Sequence, residues 1–125
     1  MILVDTSVWI DHLRTGDPAL AMLLQNGRVL GHQWVTGELA LGRLSRRREV
    51  LGLLAGLPQA TLATSSEVMT FIEDRRLFGP GIGYVDAHLL AAVLLTAGTR
   101  LWTRDRRLAA TASDMGLAAS VPTAP

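Results

Sequence analysis

The chain has 125 residues, 49% of them hydrophobic and 18% charged, with a mean hydropathy of +0.29; this is the size and composition of one compact domain and not of a disordered chain. Cysteine is absent and all 12 basic residues are arginine, which excludes disulfide scaffolds, thiolate nucleophiles, thiolate-held metals, the P-loop lysine and Schiff-base chemistry. A net charge of +1 gives no global argument for a polyanionic or membrane partner, so only local clustering of charge is informative.

Ile2-Leu3-Val4 reads as a short buried strand, and Asp5-Thr6-Ser7 opens a helix carrying Val8, Trp9, Ile10 and Leu13. Asp17-Pro18 caps a helix running through Leu24 and stopped near Asn26-Gly27, and Val29-Leu30 is a second short strand candidate. Trp34, Leu39, Leu41 and Leu44 suggest a helix that runs into the basic cluster Arg43, Arg46, Arg47 and Arg48, with Val50 to Leu54 continuing helical until Gly56-Leu57-Pro58. Ala60 to Ala63 is a weak strand candidate. Ser65-Ser66-Glu67 opens a helix that ends in Glu73-Asp74-Arg75-Arg76, and Phe78 to Gly83 is the clearest loop.

Tyr84 to Ala97 reads as a buried helix closed by Gly98, Arg100 to Thr103 as a strand, Asp105 to Met115 as a last helix and Leu117 to Val121 as a last strand candidate. Strands alternating with helices predict an α/β fold, a central parallel sheet flanked by helices. Residues 1–121 are expected to form the domain and 122–125 a loose tail. The first residues lack the basic start of a signal peptide, and no segment has the length and apolarity of a membrane span, so a cytoplasmic location is expected.

Four carboxylates stand in unusual surroundings. Asp5 and Asp105 each follow an apolar strand, and ligands of parallel sheets bind beyond the carboxyl ends of strands. Taken singly, helix N-capping explains either one equally well. Asp86 shares a helix face with Leu89, Leu90 and Val93, with no nearby basic residue except His88, which points to another face. Glu38 has a similar setting beside Trp34 and Leu41. If all four met, two like charges about 4 Å apart would repel by roughly 4 kcal/mol at an effective dielectric of about 20. Such a cluster needs protons or cations, and a hard divalent ion with oxygen ligands, Mg²⁺ or Mn²⁺, is the natural counter-charge for phosphodiester hydrolysis.

The blocks Val4-Asp5-Thr6-Ser7-Val8-Trp9-Ile10, Val35 to Gly42, Gly83 to Ala91 and Leu101 to Leu108 together resemble the PIN-domain ribonucleases, specifically the VapC-type toxins of bacterial toxin–antitoxin pairs. The resemblance spans nearly the whole chain and implies a PIN-like three-layer sandwich. It makes Asp5, Glu38, Asp86 and Asp105 the catalytic quartet holding one or two Mg²⁺ or Mn²⁺ ions, with Asp105 or Asp86 polarising the attacking water. It gives Ser7 and Thr103 the role of orienting ligands or water. It further implies an RNA substrate (tRNA, rRNA or mRNA), arrest of translation, a VapB-type antitoxin and a homodimer.

Arg104, Arg106 and Arg107 around Asp105, and Arg43, Arg46 and Arg47 in the densest basic run, are candidate RNA contacts; a solvated helix face explains the same residues. His12, His32 and His88 match no zinc spacing, and Trp9, Trp34 and Trp102 sit beside core-like residues. Two other readings are weighed. A phosphatase with Asp5 as nucleophile is disfavoured by Ser7, where a second acid is common, and by the missing lysine. A non-catalytic PIN-like module would bind RNA or a partner without turnover.

Overall fold

The computed structural model describes residues 1–121, and the expected tail at 122–125 lies outside the described residues. Its strands are β1 (Ile2–Val4), β2 (Val29–Leu30) and β3 (Arg100–Trp102), all parallel, in the order β2-β1-β3. The continuous apolar run predicted for β1 reflects its place at the centre of the sheet, where Leu3 and Val4 are fully buried. Seven helices complete the described chain: α1 (Thr6–Thr15), α2 (Pro18–Gln25), α3 (Gln33–Ala40), α4 (Arg47–Gly56), α5 (Ser65–Arg75), α6 (Tyr84–Leu95) and α7 (Arg106–Asp114). The result is the expected α/β arrangement, with α6 on β3, α5 on α6, and α1, α3 and α4 packed in succession.

Local chemistry accounts for most boundaries. Asp17 caps α2 by accepting from the Leu20 N–H, and Thr64 and Glu67 form a reciprocal capping box at the start of α5. Helix α6 is the core of the molecule: Ala87 to Val93 are all buried, and Leu89 and Leu90 meet Leu3, Leu101 and Leu108 in one cluster. Burying each of these leucines contributes about 1.5–3 kcal/mol.

Three expectations are corrected. The helix entering the basic cluster is two helices, because α3 ends at Ala40 and the chain turns through Gly42 and Ser45 before α4. Leu41, read as part of a buried face, is 91% exposed at that turn. Ala60 to Ala63 forms no strand; the pairing there is a single bridge between Gly31 and Gln59, although Ala60 and Ala63 are buried. Leu117 to Val121 likewise contributes one bridge, Ala118 to Leu101, held by the Leu101 N–H on the Leu117 carbonyl and the Ala119 N–H on the Leu101 carbonyl.

A histidine–aromatic stack joins α3 to α6. His88 lies against Trp34 with ring centroids 4.2 Å apart and against Tyr84 at 4.7 Å. His32 is buried, and its Nδ1 accepts from the Trp34 N–H at 3.1 Å, which caps α3 and leaves the ring neutral. Burial, aided by the neighbouring His88, pushes the His32 pKa down from 6.5 to about 4.

Between those two values the unfolded chain binds the proton that the folded chain refuses, so stability rises with pH across the window and is lost as pH falls through it. Urea denaturation should therefore show about 2 kcal/mol less stability at pH 5 than at pH 7 from this residue. His32→Asn keeps an acceptor for the α3 cap and should remove most of that loss; an equal loss in both proteins would contradict the assignment.

Candidate active site

The parallel register decides where the first carboxylate sits. Val4 pairs with Trp102, and the ladder extends one residue through the Asp5 N–H on the Trp102 carbonyl at 2.9 Å. Asp5 and Thr103 therefore leave the sheet side by side. Thr103 Oγ1 donates to Asp5 Oδ2 at 2.7 Å, and Ser7 Oγ donates to the same oxygen at 2.8 Å. Backbone N–H groups fix the direction of both hydroxyls: Arg104 donates to Ser7 Oγ at 3.0 Å and Asp105 donates to Thr103 Oγ1 at 3.0 Å. With their lone pairs occupied from behind, Ser7 and Thr103 present their protons to the carboxylate.

Asp5 is only 7% exposed and occupies the N-cap position of α1, yet its side chain makes no capping bond. The capping explanation thus fails for Asp5. It holds for Asp105, whose Oδ1 accepts from the Arg107 and Leu108 N–H groups at 2.9 and 3.1 Å. Asp86 is in the first turn of α6, and its Oδ2 accepts from the Gly83 N–H at 2.9 Å. Glu38, exposed on α3, accepts from Thr6 Oγ1 on its Oε1 at 2.7 Å.

One pattern runs through all four. Each carboxylate has one oxygen held by protein donors, and its other oxygen takes no hydrogen bond from the described residues. None of the four joins an ion pair among the described residues. They are close enough to act on one another: burial first, and then the charges of Asp5, Asp105 and Glu38, push the Asp86 carboxyl above its ordinary value against the pull of the Gly83 N–H. Among the described residues, no three His, Asp or Glu side chains are drawn together tightly enough to form a ready-made cage.

The arginines are dispersed in function. Arg104 is committed elsewhere: its guanidinium pairs with Asp11 at 2.6 Å and with Asp17, and it lies 5.6 Å from the Trp102 ring centroid. Its charge is already matched, so it is not available as a free phosphate contact. Arg47 closes the end of α3 by donating to the Ala40 carbonyl at 2.7 Å. Arg43 and Arg46 line a groove of about 920 Å³ that also includes Glu38, with Arg46 in a loose exposed pair with Glu49. Arg106 and Arg107 line a separate cleft.

Sequence reasoning passed over Thr6 and Gly83, which position Glu38 and Asp86. Gly83 was discoverable, since it stands three residues before Asp86 in capping-box spacing. The contact from Thr6 to Glu38 crosses between α1 and α3 and has no local signal. Trp9 is buried, and Trp34 and Trp102 are partly buried in packing contacts.

A carboxyl with a raised pKa binds its proton more tightly in the folded chain, so its ionisation lowers stability as pH rises through and above the ordinary carboxylate value. Asp86→Asn retains an oxygen for the Gly83 N–H. In EDTA at pH 7 it should raise the thermal midpoint by a few degrees, and the gain should vanish once the pH falls below the ordinary carboxylate value. A midpoint lowered at pH 7 would contradict the electrostatic reading.

Comparison with known proteins accords with this geometry. A family model described as "PIN domain" matches residues 2–114. Two relatives named Ribonuclease VapC32, from Mycobacterium tuberculosis strains CDC 1551 / Oshkosh and ATCC 25618 / H37Rv, are each 51% identical over 118 residues, covering 94% of this chain and 95% of theirs. With the parallel sheet and its strand-end acids, a match of this extent means that the chain belongs to the PIN-domain family, in its VapC-type branch.

Proposed function

We propose that this chain is a metal-dependent endoribonuclease toxin of the VapC type, using Asp5, Glu38, Asp86 and Asp105 to hydrolyse RNA phosphodiester bonds. The observation that carries this reading is the shared state of the four carboxylates among the described residues: one oxygen anchored, the other without a protein donor, and no arginine paired to any of them. The donor set suits Mg²⁺ or Mn²⁺, since both are hard cations that take oxygen ligands, and a chain without cysteine offers no thiolate to favour a softer ion. When bound, a dication supplies charge neutralisation for the phosphodiester and lowers the pKa of water.

The residues of the chain do the rest. Ser7 and Thr103 hold the Asp5 carboxylate in one orientation, Thr6 holds Glu38, Gly83 holds Asp86, and the first turn of α7 holds Asp105. In the hydrolysis, water oxygen bonds to phosphorus as the bond from phosphorus to the leaving ribose oxygen breaks. The water proton passes to a free carboxylate oxygen of Asp86 or Asp105, and the leaving oxygen takes up a proton from solvent. Residues 1–121 act as the PIN domain in this reading. A VapB-type antitoxin, homodimer assembly and action on cytoplasmic RNA that halts translation complete it. No helix among the described residues is long and apolar enough to cross a membrane.

The test is cleavage of single-stranded and structured RNA with Mg²⁺ or Mn²⁺, with and without EDTA. EDTA should abolish turnover, Asp5→Asn should lower it by about 100-fold or more, and Thr103→Val by about 10–100-fold through misorientation of Asp5. Cleavage that survives both chelation and Asp5→Asn would overturn the mechanism. RNA binding without turnover under either metal would instead favour a non-catalytic module.

A further inference from the structure

Four arginines converge on a cleft that the acids do not occupy. Arg75 and Arg76 come from the end of α5, Arg106 and Arg107 from the first turn of α7, and together with Pro80 they border a cavity of about 430 Å³. All four are exposed, and none joins an ion pair among the described residues, although Asp114 lies along the same cleft. The convergence is built into the backbone. Arg76 ends α5 in the left-handed conformation, at φ 53°. Gly81, at φ +82°, lets the Arg107 guanidinium lie against it, where a Cβ would come within 2.8 Å of Nη1.

The cleft adjoins the acids through Arg107, whose backbone N–H donates to Asp105 Oδ1 at 2.9 Å while its side chain lines the cavity. We propose that this cleft binds the phosphate backbone of single-stranded RNA beyond the bond being cut; the inference rests on the ribonuclease reading above. A phosphodiester approaching four carboxylates is repelled until it is neutralised, so binding must be gained from parts of the substrate remote from the reacting bond. Four guanidiniums with no carboxylate partner among the described residues supply it, Arg75 lying 6.0 Å from the Phe71 ring centroid, because their planar forks match phosphate oxygens.

The lining contains no aromatic ring on which a base could stack, so the contact follows the backbone and not the base sequence. Its few apolar members, among them Leu77 and Pro80, offer no deep anchor of the kind a protein partner uses. Arg75 and Arg76 are accordingly RNA-contact residues that stand outside the basic run at Arg43 to Arg48.

The experiment measures binding of a labelled oligouridylate to the full chain carrying Asp5→Asn, in EDTA, over a range of salt concentrations. It is repeated after adding Arg75→Ala with Arg76→Ala, and, as a control for net charge, after adding Arg28→Ala with Arg100→Ala, which lie at the N-terminal ends of β2 and β3, away from the acids. The cleft predicts about tenfold weaker binding for the Arg75/Arg76 variant at low salt, and a dependence of log K on log salt shallower by about 1.4, for two lost phosphate contacts on a single strand. The Arg28/Arg100 control should change both quantities much less.

Unchanged affinity and slope in the Arg75/Arg76 variant, or an equal change in the control, would overturn the cleft while leaving the nuclease reading intact. Polyglutamate bound as tightly as RNA, with the same dependence on Arg75 and Arg76, would also overturn it in favour of an acidic protein partner. Binding that needs Arg75 and Arg76 in a chain whose wild type cleaves no RNA would support the cleft and sink the nuclease reading alone.

Discussion

The structure turns on a buried carboxylate that no basic side chain among the described residues pairs with. Asp5 leaves the central strand 7% exposed, and two hydroxyls meet its Oδ2. Both are aimed by backbone N–H groups of the chain that follows β3. This arrangement follows from the pairing of β1 with β3: sliding either strand by one residue would carry Thr103 away from Asp5. The same pairing that builds the sheet thus fixes the orientation of the acid. Helix capping does not explain its placement, because the Asp5 side chain makes no capping bond to the helix it precedes.

Charge is sorted around that centre. Arg104, adjacent in sequence to both Thr103 and Asp105, is turned to Asp11 and Asp17 and so kept from neutralising the quartet. Seven of the remaining arginines line the cleft beside α7 or the groove that includes Glu38. A chain of net charge +1 therefore sets carboxylates at the ends of the strands beside arginine-lined surface.

Much of this was legible in the residues. The apolar run at Ile2 to Val4, the Asp-Pro start at Asp17 and the buried helix from Tyr84 are local signals, and the structure keeps each of them. The four acids stood out because a carboxylate in apolar surroundings needs a reason. What local pattern did not carry was tertiary. The break between α3 and α4 rests on Arg47 donating to the Ala40 carbonyl and on the left-handed turn at Arg46, neither of which hydrophobic spacing reports. Ala60 and Ala63 are buried as coil, and a buried alternation looks the same in sequence whether or not it pairs. The partners of Arg104 lie 87 and 93 residues away, beyond any spacing rule.

The central claim is that the four carboxylates form one site whose strain a divalent cation relieves. The most direct measurement is the thermal midpoint of the chain titrated with Mn²⁺, for wild type and for Asp5→Asn. Because the ion binds the assembled acids and not the dispersed ones, wild type should gain stability as RT ln(1 + [Mn²⁺]/Kd), and Asp5→Asn should lose most of that gain. A wild-type midpoint indifferent to Mn²⁺, or an equal rise in both proteins, would contradict it.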